Sequence, residues 1–209
     1  MSDTKEKIMM TALRLFAKDG YEAVSVSRIA GELGMTKGAL YKHYKNKRDI
    51  FDSILNHVCR LDMERSKKAG MPEDGFDKRP QPFRNTTVES VMAYMKAQFS
   101  YWTEDETACN FRRMLTLEQY RNPEMANLYQ KVLASGPVNY IENLFREMML
   151  SGTWLEGSPR QMAVEFFAPF YLLLSMSDAA SGKEEKEKVA VLFTTHLECF
   201  VETYAAKMP

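Results

Sequence analysis

The residues best suited to chemistry lie close together, between positions 25 and 47. They combine hydroxyl groups, positive charges and one tyrosine: Ser27, Thr36, Lys37, Gly38, Tyr41, Lys42, His43 and Lys47. Ammonium and hydroxyl groups bind phosphate oxygens, and an aromatic ring can reach sugars and base edges. Gly38 removes a side chain where a partner must approach the backbone closely. The set predicts a surface for double-stranded DNA, whereas charge alone would favour an ordinary helical hairpin with a solvated basic face.

Two short helices joined by a tight turn are predicted to position these side chains. Ser25 can cap the first helix, because its hydroxyl can accept an otherwise unpaired backbone N–H. Val26, Ile29 and Leu33 follow at the i, i+3, i+7 spacing of one helical face. Gly34 tolerates the left-handed conformation and is expected to end that helix.

The second helix of the pair carries the candidate surface. Thr36 is its expected N-cap, while Leu40 and Tyr44, four residues apart, point back to the core. The outward face is left to Lys37, Gly38, Tyr41 and Lys42. A short basic helix held by a helix-turn-helix fits the major groove of DNA. With a scaffolding helix over 4–19, the pattern predicts a three-helix DNA-binding head.

The first fifty or so residues resemble the N-terminal domain of TetR-family transcriptional regulators. The matching positions are Ala12, Leu13, Phe16, Gly20, Tyr21, Ser25, Val26, Ile29, Ala30, Leu33, Gly34, Thr36, Lys37, Gly38, Leu40, Tyr41, His43, Tyr44 and Lys47. Tyr44 departs from the family, which more often has phenylalanine there, and its added hydroxyl needs a partner. The remaining 150 residues match in helix order only. The resemblance implies a repressor that a ligand releases from its operator.

Charge is distributed unevenly along the chain. Lys+Arg and Asp+Glu both number 28 in 209 residues, so the whole is neutral. Residues 1–60 contain eleven basic and seven acidic residues, which leaves +4 on this part and −4 on the remainder. A basic head suits a polyanionic partner, and overall neutrality argues against a general nucleic-acid coat.

Apolar periodicity predicts an all-α fold with no strand or repeat. After the head, helices are expected over 46–68, from a capping box at Thr86 and Glu89 through Trp102, and over 104–121. Helix resumes at Pro123 and runs to Gly152 with a kink or break at Gly136-Pro137. Two long helices follow, at 159–181 and 184–205, and a loop is predicted over 70–85. We therefore expect a DNA-binding domain at 1–47 and a helical ligand-binding and dimerisation domain at 48–209, connected by the helix at 46–69.

No catalytic or metal-binding constellation stands out. His43, His57 and His196 are scattered, and none has a second ligand four residues away. There is no nucleophile elbow, phosphate-binding loop or dinucleotide fingerprint. We expect no enzyme activity, no cofactor and no metal, although a small-molecule enzyme with a helical head is an alternative from another class.

Cysteine use and hydropathy bear on the compartment. Cys59, Cys109 and Cys199 are far apart and odd in number, which fits buried thiols in a reducing cytoplasm. The polar N-terminus leads directly into an amphipathic helix, and the apolar run 166–174 is too short to span a bilayer. We expect a cytoplasmic protein with no membrane partner.

The body contains many of the fifteen methionines and crowded aromatic residues. Methionine fills irregular space, so a slightly loose helical core and a ligand cavity both fit the pattern. For the cavity, the candidate lining residues are Met92, Met95, Phe99, Met114, Tyr120, Phe145, Phe166 and Phe170. The resemblance favours a cavity, and the apolar lining favours a small hydrophobic effector. An architectural DNA-binding protein with no effector is the second alternative.

The last two helices carry wide apolar stripes yet complete only half of a four-helix bundle. Matching helices from a second subunit would complete it around a two-fold axis. The expectation is a homodimer on a palindromic operator, with Phe193 and Phe200 as interface anchors.

Overall fold

Ten helices make up the parts of the chain described by the computed structural model, residues 3–68 and 86–205. The helices are α1 (Asp3–Asp19), α2 (Val26–Glu32), α3 (Lys37–Tyr41), α4 (Lys47–Lys68), α5 (Val88–Glu104), α6 (Glu106–Glu118), α7 (Pro123–Leu133), α8 (Ser135–Leu150), α9 (Pro159–Ala179) and α10 (Lys183–Tyr204). These two ranges contain no strand, only an isolated bridge between Trp154 and Ala205. The all-α prediction is confirmed, while the loop predicted over 70–85 lies outside the described residues.

The chain divides into two compact units. Unit 1 consists of Met1–Asp62 and Asp105–Tyr129, and unit 2 consists of Met63–Glu104 and Gln130–Pro209. The compact division therefore does not follow the boundary expected after residue 47. A segment from the middle of the chain, which holds α6 and the start of α7, packs with the head, because α1 lies along α6.

The core of unit 1 contains the apolar face predicted for α1. Met9, Ala12, Leu13 and Phe16 are all buried. The Phe16 and Tyr21 rings pack edge to face at 5.1 Å between centroids. Tyr21 in turn contacts Phe51 of α4, at 5.4 Å. Such pairs add to the area that the rings bury, so this core fixes α1 against α4.

Unit 2 is built around α9, which packs against α5, α8 and α10. Its core is a cluster of aromatic rings. Phe99 stacks on Phe193 at 4.6 Å, and Phe166 meets Phe200 at 4.8 Å. Phe145 lies 5.2 Å from Phe166. Ring packing at these separations is typical of a filled interior.

The cap of α5 differs from the sequence prediction by one residue. Thr87 Oγ1, not Thr86, accepts the hydrogen bond from the Ser90 backbone N–H, at 3.2 Å. The capping box predicted between Thr86 and Glu89 is therefore wrong in register. Two consecutive threonines, Thr86 and Thr87, offer two equivalent cap candidates, and the periodicity of the following apolar residues cannot separate them.

The Gly136-Pro137 interruption is a true break between two helices. α7 ends at Leu133 and α8 begins at Ser135. A Cβ at Gly136 would lie 1.8 Å from the Lys131 carbonyl oxygen, so the tight corner requires glycine. Pro137 falls in the first turn of α8, where its missing N–H costs no helical hydrogen bond.

The apolar length of α9 and the exposure of the cysteines differ from what the sequence predicted. α9, with 21 residues, is long and apolar enough to cross a membrane, and 44% of its most apolar 18 residues are buried inside the protein. The thiols of Cys59 and Cys109 are half-buried, whereas Cys199 is exposed, so the expectation of buried cysteines is wrong for Cys199.

Candidate nucleic-acid interface

Each helix of the helix-turn-helix begins at one side-chain cap. Ser25 Oγ accepts the Arg28 N–H at 3.2 Å, and Thr36 Oγ1 accepts the Ala39 N–H at 3.1 Å. Gly34 adopts φ +64° in the turn between the helices. Each of these local predictions is confirmed. α3 contains only five residues, so its orientation depends on the caps and on its buried side chains.

Buried residues hold α2 and α3 on the core of unit 1. Ile29 and Leu40 are both fully buried. Tyr44 is also buried, and its hydroxyl donates to the Lys5 carbonyl oxygen of α1 at 3.0 Å. This bond supplies the partner that the added hydroxyl requires, and burial raises the pKa of the Tyr44 phenol. Residues 25–47, the recognition stretch, are thereby anchored to the first helix.

The opposite face of the stretch is open to solvent. Exposed side chains or backbone are found at Ser27, Thr36, Lys37, Gly38, Tyr41 and Lys42. The Tyr41 ring is 44% exposed, with the Lys37 ammonium 5.7 Å from its centroid. Lys37 and Lys42 make no ion pair with any described residue. His43 is half-buried beside this face. The outward set predicted from the sequence therefore shares one surface, apart from Lys47.

Other basic residues near the stretch are engaged within the protein. Arg28 pairs with Asp19 at 2.6 Å, and Arg14 pairs with Glu32 at 2.7 Å. Both pairs are exposed, so each contributes little to stability, but both reduce the positive charge available to a partner. The two arginines therefore add little open charge, which remains at the exposed Lys37, Lys42 and Lys45 in and just after α3.

Lys47 makes contacts within the protein that its position in the sequence did not predict. Its ammonium donates to the Tyr21 carbonyl oxygen at 2.8 Å and lies 4.3 Å from the Tyr21 ring centroid. The side chain is only 23% exposed and also approaches the Glu22 carboxylate, at 3.8 Å. These contacts hold the turn between α1 and α2, so the Lys47 ammonium is already engaged within the protein, and its role as a phosphate ligand stays a prediction. Sequence position alone favoured phosphate, because Lys47 starts a helix.

The start of α4 is fixed by a reciprocal cap. The Asp49 N–H donates to Asn46 Oδ1 at 2.8 Å, and the Lys45 N–H donates to Asp49 Oδ2 at 2.9 Å. The predicted cap at Asn46 is confirmed. It sets the direction in which the chain leaves the recognition stretch.

Sequence reasoning missed two residues that attach the 105–129 segment to the head. Glu118 of α6 accepts the Tyr21 backbone N–H at 2.9 Å. Glu124 of α7 receives both terminal guanidinium nitrogens of Arg48, each at 2.7 Å. This pairing raises the pKa of Arg48 and lowers that of Glu124. The two acceptors lie 97 and 76 residues from their partners along the chain, so no local spacing could have identified them.

The predicted ligand-lining residues do not share one environment. Met114 and Tyr120 belong to unit 1, and the other six belong to unit 2. Tyr120 is 87% exposed, so its assignment to an enclosed cavity is wrong. Met92 is half-buried, and the remaining members are buried: Met95, Phe99, Met114, Phe145, Phe166 and Phe170.

A small depression in unit 2 involves one of these residues. It measures about 90 Å³ and is lined by Lys96, Phe99, Ser100, Glu104, Ala190, Phe193 and Thr194. Elsewhere in unit 2 the predicted rings fill space against one another. Among the described residues, no three or more His, Cys, Asp or Glu side chains converge as metal ligands.

The two residues predicted to anchor a dimer interface are buried inside the single chain. Phe193 is 1% exposed and Phe200 is 5% exposed within the single chain, so both are core residues. The apolar side chains that the two last helices leave open are different ones: Val164, Tyr171, Leu172, Met176, Val191 and Leu192.

Comparison with known proteins agrees with this geometry. The family model for bacterial regulatory proteins of the tetR family matches residues 8–54, which contain α1 to α3 and the start of α4. The HTH-type transcriptional regulator YerO of Bacillus subtilis is 37% identical over 165 residues, covering 78% of this chain. The match spans about half of that relative, 51% of its length.

Two further proteins are similar over most of their length. The fatty acid metabolism regulator protein of Bacillus subtilis is 27% identical over 158 residues, covering 75% of this chain and 74% of that protein. A structure of SmeT with triclosan superposes with a TM-score of 0.72 at 19% identity, over 98% of this chain and 92% of that one. SmeT is described as the repressor of the Stenotrophomonas maltophilia multidrug efflux pump SmeDEF.

A capped helix-turn-helix of this kind is typical of bacterial DNA-binding transcriptional regulators. Residues 8–54 match the tetR family of bacterial regulatory proteins, and YerO, which is similar over 165 residues, is an HTH-type transcriptional regulator.

Proposed function

We propose that the chain is a sequence-specific DNA-binding repressor, which acts as a homodimer on a palindromic operator and is released by a small hydrophobic effector. The observation that carries the DNA-binding part is the open face at α3, where Lys37 and Tyr41 project from the helix and Lys42 projects from the position that follows it. An exposed basic face on a rigid support has the charge and access that binding in a major groove requires.

The residues of this face divide by the contacts that their chemistry permits. Lys42 and the Ser27 hydroxyl bind phosphates, which position the protein without reading sequence. Thr36 and His43 assist them at the edges of the stretch. Tyr41, with Lys37 beside its ring, contacts bases or sugars and supplies discrimination. Gly38 lets the helix approach the DNA closely.

The homodimer rests on the apolar side chains left open by α9 and α10. Leu172 is 60% exposed and Met176 is 42% exposed, one helical turn apart on α9. On α10, Leu192 is 52% exposed. Covering these side chains with the same helices of a second copy gives a two-fold four-helix interface. Two recognition helices then face successive major grooves, about 34–36 Å apart.

The effector is proposed from the chemistry of the body. The buried aromatic and thioether side chains of unit 2 favour a mainly hydrophobic guest over a sugar or nucleotide. The structural similarity to SmeT in complex with triclosan supports the same class of guest. The guest must bind the DNA-incompetent state more tightly, since equal affinity for both states shifts nothing. Since a regulator must reach the DNA, the proposed site of action is the cytoplasm.

The close ring packing of unit 2 favours a second candidate, a DNA-binding protein without an effector. Phe99, Phe170 and Phe193 lie within 5.7 Å of one another by ring centroid, so a guest must displace or rearrange them. The two candidates differ in one measurable property, which is DNA release by a ligand.

One experiment tests the function in order of its parts. The full chain is used to select binding sites from random double-stranded DNA, and the enriched sequence is measured by fluorescence anisotropy at several salt concentrations. An enriched palindrome bound as a dimer supports the proposal, and the absence of any enriched sequence contradicts it. A thermal-shift and DNA-release screen with hydrophobic compounds then separates the effector-controlled repressor from the effector-free protein.

Light scattering tests the dimer separately. Leu172→Asp is expected to give folded monomers with weakened operator binding, while Leu150→Asp, at a residue 78% exposed on α8, is the matched control. A wild-type protein that remains monomeric at micromolar concentration contradicts this part.

A further inference from the structure

Glu118, at the end of α6, is a fully enclosed carboxylate. Its side chain has 0% exposure, and Oε1 accepts the Tyr21 backbone N–H at 2.9 Å. A charged group so completely removed from water needs a specific reason to be there, because burial of a charge is costly.

The carboxylate lies directly against the backbone of the turn that follows α1. A Cβ at Gly20 would be 2.6 Å from Glu118 Oε1, and Gly20 itself has φ +88°. Any larger residue there would meet both the carboxylate and an unfavourable backbone conformation. Glycine at position 20 and glutamate at position 118 are therefore matched to each other.

The same turn is held from its other side by Lys47. Glu118 accepts the N–H of Tyr21, and the Lys47 ammonium donates to the carbonyl oxygen of Tyr21, at 2.8 Å. The backbone of Tyr21 is thus fixed between a carboxylate from α6 and an ammonium from α4. Four residues later Ser25 begins the cap of α2, so this turn sets where the helix-turn-helix starts.

The contacts of Glu118 are poorly suited to stability alone. Within the described residues, its second oxygen, Oε2, has no hydrogen-bond partner. The Arg121 guanidinium is 3.8 Å from Oε1 and is itself largely exposed. A buried ion pair can often be replaced as a whole by packed apolar residues with no loss of stability, so an incompletely paired buried carboxylate is weak evidence of a stabilising role. The property that an apolar residue cannot reproduce is the acceptor for the Tyr21 N–H.

We propose that Glu118 is a positioning residue for DNA recognition, which holds the Gly20–Tyr21 turn so that α2 and α3 are correctly placed. This inference rests on the proposed DNA-binding function and adds to it that α6 is a required part of the reader. The residues that touch DNA do not include Glu118, which acts through the backbone of Tyr21.

The test compares Glu118→Leu and Glu118→Gln in the full chain, with Glu106→Leu as a control at an exposed carboxylate at the opposite end of α6. Three quantities are measured: hydrogen exchange of the Tyr21 amide, thermal unfolding temperature, and anisotropy with the DNA selected by the wild-type chain. Glu118→Leu is expected to lose Tyr21 protection and about tenfold or more in affinity, as for a lost hydrogen bond to a charged group. Its unfolding temperature is expected to fall by only a few degrees, because relief of the buried carboxylate offsets part of the lost hydrogen bond, so the protein stays folded at the temperature of the DNA-binding measurement. Glu118→Gln keeps an oxygen acceptor and is expected to restore protection and affinity to within about threefold.

Two results would overturn the proposal. One is a Glu118→Leu protein with wild-type DNA affinity despite an unprotected Tyr21 amide. The other is a loss of affinity that simply follows thermal unfolding and disappears at low temperature. If Glu118→Leu does not fold, Glu118→Asp carries the test, because its shorter side chain withdraws the acceptor while keeping the charge. If the wild-type chain selects no DNA, the proposed function fails, while the amide-exchange measurement still decides whether Glu118 holds the turn.

Discussion

The recognition stretch and the aromatic core of unit 2 differ in what determines the surroundings of each residue. In the stretch, Ser25, Gly34 and Thr36 follow local rules, because each forms a cap or turn with residues no more than four positions away. In unit 2 the surroundings of Phe200 are set by Phe145 and Phe166, which belong to other helices. Local rules can be read from a sequence, whereas packing between helices depends on which faces meet.

The largest expected effect tests the aromatic core of unit 2. Phe200→Ala is predicted to lower the free energy of unfolding by about 3–5 kcal/mol, because it removes a ring packed among several others and leaves a cavity. Chemical denaturation monitored by circular dichroism measures the change. Leu150→Ala, at an exposed position, is the control and is expected to cost little. If Phe200→Ala instead dissociated a dimer without lowering the stability of the chain, Phe200 would be an interface residue, as the sequence predicted.

The next effect concerns Lys47, whose ammonium donates to the Tyr21 carbonyl oxygen. Lys47→Met is predicted to lower the free energy of unfolding by about 1.5–3 kcal/mol, because the Tyr21 carbonyl loses a charged donor. Denaturant titration measures it, with Lys45→Met as a control at an exposed lysine two residues earlier. A Lys47→Met protein with unchanged stability but a smaller salt dependence of DNA binding would identify Lys47 as a phosphate ligand after all.

The sequence predicted elements well and long-range partners poorly, for a physical reason. Helix starts depend on hydroxyl, amide and proline residues at the first positions, so Asn46 and Pro123 could be placed from spacing alone. The same reasoning placed the outward face of α3. Glu118 could not be found this way, since its acceptor role arises only when α6 packs on α1. Phe193 and Phe200 were misassigned because an apolar stripe predicts burial without specifying the chain that provides it.

A smaller effect tests the exposed side of the comparison. Tyr41→Ala is predicted to leave stability within about 0.5 kcal/mol, since the ring is 44% exposed, while discrimination at one base pair falls by about 1–3 kcal/mol. Competition anisotropy with single-base variants of the selected operator measures this. Lys42→Ala is the control, expected to weaken all sequences equally and to reduce the salt slope by about one. Equal weakening by both substitutions would remove Tyr41 from base recognition.

The smallest expected effect concerns Tyr44, which shares features of both regions because it is buried but belongs to the recognition stretch. Tyr44→Phe removes the hydroxyl that donates to the Lys5 carbonyl oxygen and is predicted to cost about 0.5–1.5 kcal/mol in the free energy of unfolding. Burial raises the pKa of Tyr44 in the folded chain above the value of about 10 in the unfolded chain. The unfolded state therefore loses its proton first, and the stabilisation is complete below about pH 10 and declines as pH rises beyond it. Denaturation from pH 7 to 11 should accordingly show that the difference in the free energy of unfolding between wild type and Tyr44→Phe narrows above pH 10.

Burial also raises the pKa of Tyr21, but that contribution is common to both proteins and cancels in the difference. Tyr120→Phe, at a residue 87% exposed, is expected to match wild type throughout. A constant difference across the whole pH range would show that the hydroxyl does not titrate with folding, and no difference at any pH would mean that its bond to Lys5 contributes nothing to stability.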